Sequence, residues 1–511
     1  MQLRSVVPAL AALASSLAPS TATAVPRAAG SLALAADKPL LTFDYSTPDP
    51  DPKNWIGIWS AYYGGPDNQA SVSYSLAWDW ATEAKGTVQV NVSKLQPGAY
   101  KAYYLAKNGY KWLADPIEVN IPGTGPLAFL IDTFTTQNAR RGDAFQAAVG
   151  GLLANPKKNM KWAVVDRDNA DWVQVSDNGT LYGTPTSSGI AKFTVRATDA
   201  DNTTGSLAVT IPVVASAAPL VSKLNVMSFN LWQGGRNIND SHRKQIKFLT
   251  SSGADIVGFQ ESFFNDGLRL AKALGWQAYQ TSDTSIISRY PIVEVYPQTS
   301  ASGSVRIAVD GEDSQVIMWN AHLGYDPYGP YDFCFSKMSR EEVLKREADS
   351  KRTPQIVEIM DRMKSQIANA KEIPVLLTGD FNAPSHLDWT NATAKSHCGV
   401  GYFEWPTSIH PTEAGLVDSF REKHPDPVAV PGITWSPIYL TNNGRPEPLD
   451  RLDFVYHKGM KTLDSKILLV GSPLPETDPK YKDNEWTSDH ASVMTTFQIP
   501  NKRCKREASQ A

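Results

Sequence analysis

The stretch Ile373-Pro-Val-Leu-Leu-Thr-Gly-Asp-Phe-Asn382 decides the fold of the C-terminal part of the chain, because an apolar, strand-like run ends there on polar residues. Asp380 and Asn382 alternate along the predicted strand, so their side chains face the same side. A turn that uses Asp-x-Asn for local hydrogen bonds is the alternative interpretation. The run therefore predicts a buried strand that presents a carboxylate and an amide at one end.

Five further segments place Asn, Asp, Glu or His beside an apolar run in the same way. They are Met227-Ser-Phe-Asn230, Gln260-Glu261, Asn320-Ala-His322, Arg451-Leu-Asp453 and Ser488-Asp-His490. Because strand ends at one edge of a sheet converge, side chains that are distant in sequence can meet in one site. Oxygen ligands combined with two histidines suit a divalent metal ion and a phosphate ester.

The domain organisation follows from length and from a change in pattern along the chain. A chain of 511 residues is too long for one core, so two to four domains are expected. Residues 38–122 contain short runs of aromatic and β-branched residues, at 55–59, 71–76, 86–92 and 100–105, which predict an all-β sandwich. Residues 125–216 form a second β-rich unit. The predicted fold is multidomain, with two all-β sandwiches followed by a four-layer α/β sandwich.

Residues 222–500 mix strands and helices without strict alternation, which favours an α/β sandwich with two facing sheets. Helices are predicted over 241–249 and over 266–274, the second ending at Gly275. A long amphipathic helix is predicted over 339–371, with an interruption near Pro354. The aromatic-rich segment 325–335 is interpreted as a rim loop that shapes a substrate pocket.

The ordered motifs SFN, QE, NAH, GDFN, TWSP (Thr434 to Pro437), RLD and SDH make residues 222–500 resemble the endonuclease/exonuclease/phosphatase superfamily. This superfamily includes deoxyribonucleases, apurinic-site endonucleases, secreted sphingomyelinases and inositol polyphosphate phosphatases. The first β unit resembles the SKICH fold and the WIGIY-type sandwich. The second, with its Asn178-Gly-Thr-Leu-Tyr-Gly-Thr-Pro185 segment, resembles immunoglobulin-like cadherin repeats. The resemblance implies hydrolysis of a phosphoester by in-line attack of water.

Three residues are candidate metal ligands. Glu261 follows a strand and supplies a carboxylate, and Asn230 offers a carbonyl oxygen to the metal and an amide to a carboxylate. Asp489 is a ligand of the metal or of a water. The expected cofactor is Mg²⁺, with Mn²⁺ or Ca²⁺ as alternatives.

Five residues are candidate catalytic groups. His490 is the expected general base, and Asp453 orients its other ring nitrogen by family analogy. The resemblance implies that Asp380 and Asn382 orient the nucleophilic water and the phosphate oxygens. His322 is expected to contact the scissile phosphate and to protonate the leaving oxygen, with a buried structural histidine as the alternative.

Export is predicted from the N-terminus. Residues 1–24 resemble a signal peptide, with Arg4, an apolar run and the cleavage pattern Ala22-Thr-Ala24. The apolar run is too short to span a bilayer, so a secreted, extracellular glycoprotein without a transmembrane segment is expected. Asn-x-Ser/Thr sequons agree with this route: Asn91, Asn178, Asn202, Asn239 and Asn391.

The three cysteines leave two alternatives open. An oxidising compartment favours a Cys334–Cys398 disulfide with Cys504 free, and three unpaired thiols are the other interpretation.

The predicted function is a secreted, divalent-metal-dependent phosphoester hydrolase, either a phosphodiesterase or a phosphatase. A secreted deoxyribonuclease-like endonuclease is one alternative. A net charge of -3 makes the attraction of the whole chain to polyanions weak but does not exclude nucleic acid as a substrate. A sphingomyelinase-like phospholipid phosphodiesterase and a non-catalytic binding protein are the others. The expected partner is a phosphoester substrate that is a small molecule, a lipid or a nucleic acid. The N-terminal sandwiches are candidates for carbohydrate or surface contact.

Overall fold

A computed structural model describes residues 28–61, 65–72, 75–91, 95, 98–121, 125–157 and 159–500. The predicted signal peptide and Cys504 lie outside these residues. The chain divides into two compact units, with the boundary after Ile121. None of the helices in the described part of the chain is long and apolar enough to cross a membrane.

The first unit consists of two antiparallel sheets, with strand orders β1-β2-β5 and β4-β3-β6-β7. Its strands are β1 Ser31–Leu34, β2 Thr42–Ser46, β3 Trp55–Ser60, β4 Ala77–Trp80, β5 Lys85–Gln89, β6 Gly98–Leu105 and β7 Ile117–Ile121. Phe43 from one sheet and Ile56 and Tyr104 from the other belong to the same buried core. Strand-rich architecture in this region is as predicted.

One predicted strand of this unit is wrong. The described residues between 71 and 76 form no strand, and the strand β4 begins at Ala77 instead. The alternating Val72 and Leu76 suggested a strand, but Val72 packs against the buried Trp55 and Trp59 cluster from a loop. Tertiary packing therefore decides the conformation here over local propensity.

The second unit begins with a set of short and long strands. These are β8 Ala128–Phe129, β9 Thr133–Thr135, β10 Ala139–Arg140, β11 Phe145–Ala148, β12 Leu153–Ala154, β13 Lys161–Asp168, β14 Gln174–Val175, β15 Thr180–Gly183, β16 Gly189–Thr198 and β17 Thr204–Val214. The largest sheet has the order β10-β17-β16-β13, with β9 also paired to β17. A second sheet has the order β11-β15-β14, and β12 pairs with β8.

These strands pack directly against the region that follows. The guanidinium of Arg140 donates to both carboxylate oxygens of Asp310 at 2.6 Å, and both side chains are buried. A β-carbon at Gly275 would lie 2.4 Å from the carbonyl oxygen of Ala148, so the close approach of the two segments requires glycine there. The second β-rich segment and the α/β region therefore share one compact unit.

The α/β region contains fourteen strands and seven helices within its described residues. The strands are β18 Lys223–Asn230, β19 Ile256–Gln260, β20 Gln277–Gln280, β21 Ser285–Ser288, β22 Ile292–Tyr296, β23 Ser302–Glu312, β24 Ser314–His322, β25 Val375–Asp380, β26 Val417–Asp418, β27 Thr441–Asn442, β28 Arg445–Pro446, β29 Asp453–Lys458, β30 Lys461–Leu468 and β31 Ser492–Gln498. The helices are α1 Ser241–Ser252, α2 Asp266–Leu274, α3 Gly329–Cys334, α4 Arg340–Asp349, α5 Arg352–Ala368, α6 Pro406–Glu413 and α7 Ser419–Lys423.

Two six-stranded sheets form the centre of this region, with orders β20-β21-β19-β18-β31-β30 and β22-β23-β24-β25-β29-β26. Val226 and Ile256 from the first sheet share a buried core with Met318 and Leu376 from the second. The outer face of the first sheet packs against α1 and α2, and that of the second packs against α5. The predicted α/β core is thus present, and α2 ends at Gly275 as expected.

The predicted helix over 339–371 is two helices, and its break is not at Pro354. Lys351 has a φ of 77°, so α4 ends and α5 begins around this left-handed residue. Arg352 and Glu347 form a buried ion pair across the corner. Pro354 lies in the first turn of α5, where the missing N–H of proline breaks no helical hydrogen bond.

A disulfide joins Cys334 to Cys398, which confirms the predicted pairing of these two cysteines. The predicted rim loop at 325–335 contains the short helix α3, and Cys334 is its last residue. The disulfide therefore ties this rim segment to a loop far along the chain.

Candidate active site

Three candidate residues lie in a row across the second sheet. His322 on β24 is directly opposite Asp380 on the parallel strand β25, and Asp380 is directly opposite Asp453 on β29. The row exists because each strand ends or begins on its polar residue at the same edge of the sheet. Asp380 and Asp453 are buried, and His322 is half-buried.

The first sheet contributes from the facing side. Asn230 ends β18 and is directly opposite Gln260 at the end of β19. Gln260 donates to the Asn320 side chain on the second sheet at 2.6 Å, and Gly258 leaves the space that Asn320 fills. These buried amides connect the two sheets beneath the site and set the distance between them.

Asp380 is at the centre of the site. Its Oδ2 accepts a hydrogen bond from the Asn230 amide at 3.0 Å, and its Oδ1 accepts from the backbone N–H of Asn382 at 2.8 Å. Two imidazoles face the same Oδ2, with the Nε2 atoms of His490 and His322 at 3.6 and 3.7 Å. One carboxylate oxygen therefore lies between two histidines.

His490 and Asp453 form a buried pair. Nδ1 of His490 is 2.9 Å from Oδ2 of Asp453, so Nε2 is the nitrogen that faces Asp380. Burial alone would lower the pKa of His490, but the charge and hydrogen bond of Asp453, together with the charge of Asp380, raise the pKa well above 6.5. The pair thus fixes both the orientation of the ring and its affinity for a proton.

His322 has a carboxylate partner that sequence reasoning missed. Its Nδ1 is 2.6 Å from Oδ2 of Asp283. Burial would lower the pKa of His322, whereas the hydrogen bond and charge of Asp283, with the charges of Asp380 and Glu261, raise the pKa to about 9. Asp283 lies in the turn between β20 and β21, and an aspartate in a turn is normally a solvated turn former, so its sequence position gave no functional signal.

Glu261 and Asp489 face the site from the other side and fit a divalent cation. Oδ1 of Asp489 is buried and has no hydrogen-bond partner among the described residues. Burial raises the pKa of Asp489 to about 7. The negative charge of Glu261 also raises this pKa, whereas the charge of His490 lowers it. A cation would relieve the charge of these two carboxylates, and the unpaired Oδ1 of Asp489 is available to it as a ligand.

A second group of metal-ligand atoms comprises Asp380, Asp453 and His490, whose ligand atoms lie within 4.8 Å of one another. Here the imidazole of His490 already lies between the two carboxylates, 2.9 Å from Oδ2 of Asp453 and 3.6 Å from Oδ2 of Asp380. We therefore favour Glu261 and Asp489 as the cation site. Asn230 supports it, since its amide lies 3.4 Å from Oε1 of Glu261, but its carbonyl oxygen accepts from the backbone of Trp232. A metal contact by that oxygen stays a prediction.

Asn382 and Glu261 both adopt left-handed backbone conformations, with φ of 50°. This conformation is uncommon for Glu, and such outliers cluster at functional sites. The Asn382 amide donates to the carbonyl oxygen of Leu323 at 2.9 Å. β25 ends at Asp380, so the strand alternation does not place Asn382. The turn after β25 holds Asn382 beside Asp380 through the Asp-x-Asn hydrogen bond of the alternative interpretation.

The loops that deliver these groups are tied together by the remaining motif residues. The Thr434 hydroxyl accepts from the backbone N–H groups of Leu452 and Asp453, and the Ser488 hydroxyl donates to the carbonyl oxygen of Asn230. Arg451 is fully buried and pairs with Asp388 and Asp418. Arg451 therefore anchors the start of β29 and does not face the site.

Two cavities border the site. One of about 380 Å³ is lined by Glu261, Asp489 and several aromatic residues. The other, of about 530 Å³, is lined by His322, Asp283 and many hydroxyl and amide side chains. The structure thus brings all eight predicted site residues together and opens the site to ligands on two sides.

A family model described as the Endonuclease/Exonuclease/phosphatase family matches residues 227–490, just over half of the 511-residue chain. A curated relative, the uncharacterized protein F14F9.5 of Caenorhabditis elegans, is 32% identical over 289 residues, which cover 54% of this chain and 91% of that protein.

Solved structures give weaker similarities. Truncated TDP2 of Caenorhabditis elegans is 17% identical at a TM-score of 0.35, over 54% of this chain and 98% of that one. The human Nocturnin catalytic domain with bound sulfate is 14% identical at a TM-score of 0.35, over 55% and 96%. The Bacteroides thetaiotaomicron mannosyl-6-phosphatase Bt3783 is 16% identical at a TM-score of 0.35, over 53% and 98%. Similarities at this TM-score support no argument about function.

Proposed function

Because the chain belongs to the endonuclease/exonuclease/phosphatase family, we propose that it is a divalent-metal-dependent phosphoester hydrolase that activates water with His490 and Asp453. The observation that carries this proposal is the arrangement of His490, Asp380 and His322 around one carboxylate oxygen, beside the facing carboxylates of Glu261 and Asp489. A binding protein without activity would have no need to keep a complete set of acid, base and ligand groups.

The proposed cation site consists of Glu261 and Asp489, with Asn230 positioning Glu261 and Asp380 through its amide. A bound Mg²⁺ would stabilise negative charge on the phosphate and on the leaving oxygen, and its charge would counter the carboxylates that raise the pKa of His490. Mn²⁺ and Ca²⁺ have the same preference for oxygen ligands and are the alternatives.

In this proposal His490 takes the proton of the attacking water. Asp453 holds Nδ1, so Nε2 is free to accept a proton, and Asp380 lies 3.6 Å from Nε2 where it can hold the water in place. Groups positioned in this way contribute about 10²- to 10⁴-fold to the rate. Asp453 stabilises the imidazolium that forms.

His322 has the complementary role. Its pKa of about 9 keeps the ring protonated at neutral pH, so it can donate to a phosphate oxygen or to the leaving oxygen. Asp283 holds Nδ1 and directs Nε2 towards Asp380, and therefore towards the place where the phosphate is expected.

Export and the role of the front domains are part of the same proposal. The Cys334–Cys398 disulfide suits an oxidising compartment, and all five sequon asparagines are exposed. Trp78 and Trp80 on the edge strand β4 are 50% and 41% exposed, which supports carbohydrate or surface contact through a SKICH-like first sandwich. Within the second compact unit, we propose two domains: a β-sandwich at residues 125–216 and a four-layer catalytic domain at residues 222–500.

The test uses the purified chain and bis(p-nitrophenyl) phosphate, with p-nitrophenyl phosphate to distinguish a diesterase from a phosphatase. We expect release of nitrophenol with Mg²⁺, its loss with excess chelator and its return when Mg²⁺ is restored. His490→Ala is expected to lose at least about 10²-fold in kcat. His410→Ala, on the exposed part of α6, is the matched control and is expected to keep full activity. Hydrolysis that persists in chelator would contradict the proposal.

A further inference from the structure

The cavity beside the cation site has the dimensions of a ligand pocket. Its volume of about 380 Å³ is within the usual range for small-molecule sites, about 300–1,000 Å³. Glu261 and Asp489 form part of its wall, so a group bound there is adjacent to the proposed reacting phosphate. On the proposed function, this cavity is in a position to hold the organic part of the substrate.

Aromatic rings form much of the cavity wall. Trp232 and Tyr439 meet nearly edge to face, at 6.0 Å and 82°, and Trp435 lies 5.4 Å from Tyr439. Tyr331 also lines the cavity. The Trp435 N–H and the Tyr331 hydroxyl both donate to Glu447, so their polar atoms are already used within the protein. What these two rings offer a ligand is mainly carbon surface.

Glu447 supplies a hydrogen-bond acceptor next to that carbon surface. The residue is only 7% exposed, and its Oε1 accepts from Trp435 at 2.9 Å and from Tyr331 at 2.7 Å. The structure shows no hydrogen bond to Oε2 within the described part of the chain. A carboxylate oxygen accepts hydrogen bonds, so Oε2 is available to accept from a ligand that carries a donor. The cavity thus calls for a ligand with hydrogen-bond donors.

The charge of the wall excludes a second phosphate. Three carboxylates line the cavity, those of Glu261, Asp489 and Glu447, and none of the described lining residues is a lysine or an arginine. If a cation neutralises Glu261 and Asp489, Glu447 still leaves a negative charge. Polyphosphorylated ligands and nucleic acid backbones require cationic partners, which this wall does not supply.

From the carbon surface, the available Glu447 acceptor and the missing positive charge, we infer that the cavity binds a sugar ring, and that the substrate class is a carbohydrate with a single phosphoester. A pyranose has an apolar face of C–H groups for the aromatic rings and hydroxyl donors for Glu447. Gln233, Thr441 and Asn442 add further hydrogen-bonding side chains to the wall. A quaternary ammonium ion would suit aromatic rings but has no N–H or O–H for these groups.

The test compares p-nitrophenyl phosphodiesters of methyl glucoside (linked through O6), glycerol and choline, with Mg²⁺. We expect kcat/KM for the glucoside ester to exceed that for the glycerol ester by about tenfold or more, the value of one hydrogen bond to a charged group. Glu447→Gln keeps an oxygen for Trp435 and Tyr331 and replaces the free acceptor by an amide. This variant is expected to reduce the glucoside-to-glycerol ratio about tenfold.

Glu413→Gln, on the exposed surface of α6, is the matched control and is expected to leave the ratio unchanged. Equal kcat/KM values for glucoside and glycerol esters would overturn the inference, and so would a preference for the choline ester. Asn442→Ala is the second variant if Glu447→Gln does not fold, with the same expected direction.

The two proposals can fail separately. If no ester is hydrolysed, the proposed function fails, and calorimetric binding of glucose 6-phosphate against glycerol 3-phosphate then tests the cavity by itself. We expect about tenfold tighter binding of glucose 6-phosphate. Equal affinities would overturn the sugar-binding inference, whatever the activity.

Discussion

The two histidine–carboxylate pairs on either side of Asp380 use the same chemistry in different surroundings. His490 and Asp453 have side chains that are 4% and 0% exposed, whereas His322 and Asp283 are 13% and 32% exposed. Both Nε2 atoms face the same oxygen of Asp380 at almost the same distance. Because water can replace an exposed partner more easily than a buried one, we expect the first pair to be far more sensitive to substitution than the second.

The largest effect is expected for Asp453→Asn. The substitution removes the charge that orients His490 and stabilises its protonated form, and nothing else among the described residues is hydrogen-bonded to Nδ1. We expect kcat to fall by about 10³- to 10⁴-fold with little change in KM. Steady-state kinetics on bis(p-nitrophenyl) phosphate measure this, and a loss of less than tenfold would remove His490 from the role of base.

A smaller effect is expected for His322→Gln, and its size should depend on the leaving group. Protonation of the leaving oxygen is important for an alkyl ester and unimportant for nitrophenolate, which leaves readily without a proton. We expect kcat to fall about 10²-fold on an alkyl phosphoester and less than tenfold on the nitrophenyl ester. Equal losses on the two esters would favour a phosphate-binding role for His322 over that of an acid.

Asp283→Asn should sharpen the comparison further. Asp283 is the main group that raises the pKa of His322 to about 9. In the wild-type protein, His322 is therefore mostly protonated below about pH 9. Removing the charge lowers this pKa towards its ordinary value, and the alkaline limb of the pH–rate profile should move from near pH 9 to lower pH. We expect kcat at pH 7 to fall only about tenfold or less. An unchanged alkaline limb would show that His322 does not control it.

The smallest effect on catalysis is expected when the disulfide is removed by Cys334→Ser with Cys398→Ser. The bridge closes a loop with a sequence separation of 64, and its loss should lower the free energy of unfolding by about 2–4 kcal/mol. The four residues of the two histidine–carboxylate pairs lie outside the segment 334–398 that the disulfide closes. We therefore expect the ratio of the activities of the Asp453→Asn and Asp283→Asn variants to be the same with and without the disulfide. Chemical denaturation and kinetics at 25 °C measure the two quantities, and an altered ratio would couple the rim to the pairs.

The difference between the two pairs also explains what could be predicted from sequence. Asp453, Asp380 and His322 are each at the end or start of an apolar strand, and the register of β24, β25 and β29 then places them in a row. Asp283 is in a turn, where side-chain direction depends on tertiary packing and not on a strand's alternation. Its pairing with His322 therefore became visible only in three dimensions.

Other misses have the same origin. The break between α4 and α5 occurs at Lys351, where the buried Glu347–Arg352 pair stabilises a corner that Pro354 only appeared to mark. The loop over 71–76 has the alternation of a strand, but Val72 packs on an aromatic cluster instead of joining a sheet. Cys334 and Cys398 could be paired in advance only as an alternative, since a Cα–Cα distance of 5.3 Å is a property of the fold.

We propose that Glu261 and Asp489 bind the cation, whereas His490 and Asp453 activate water. The position of a bound cation is the most direct test of this assignment. A crystal of the protein soaked in Mn²⁺ and measured at the manganese absorption edge locates the ion by anomalous scattering. We expect one peak between the carboxylates of Glu261 and Asp489, with His490 still bonded to Asp453. A peak between Asp380, Asp453 and His490 would contradict this account, because a histidine that ligates the metal cannot also serve as the base.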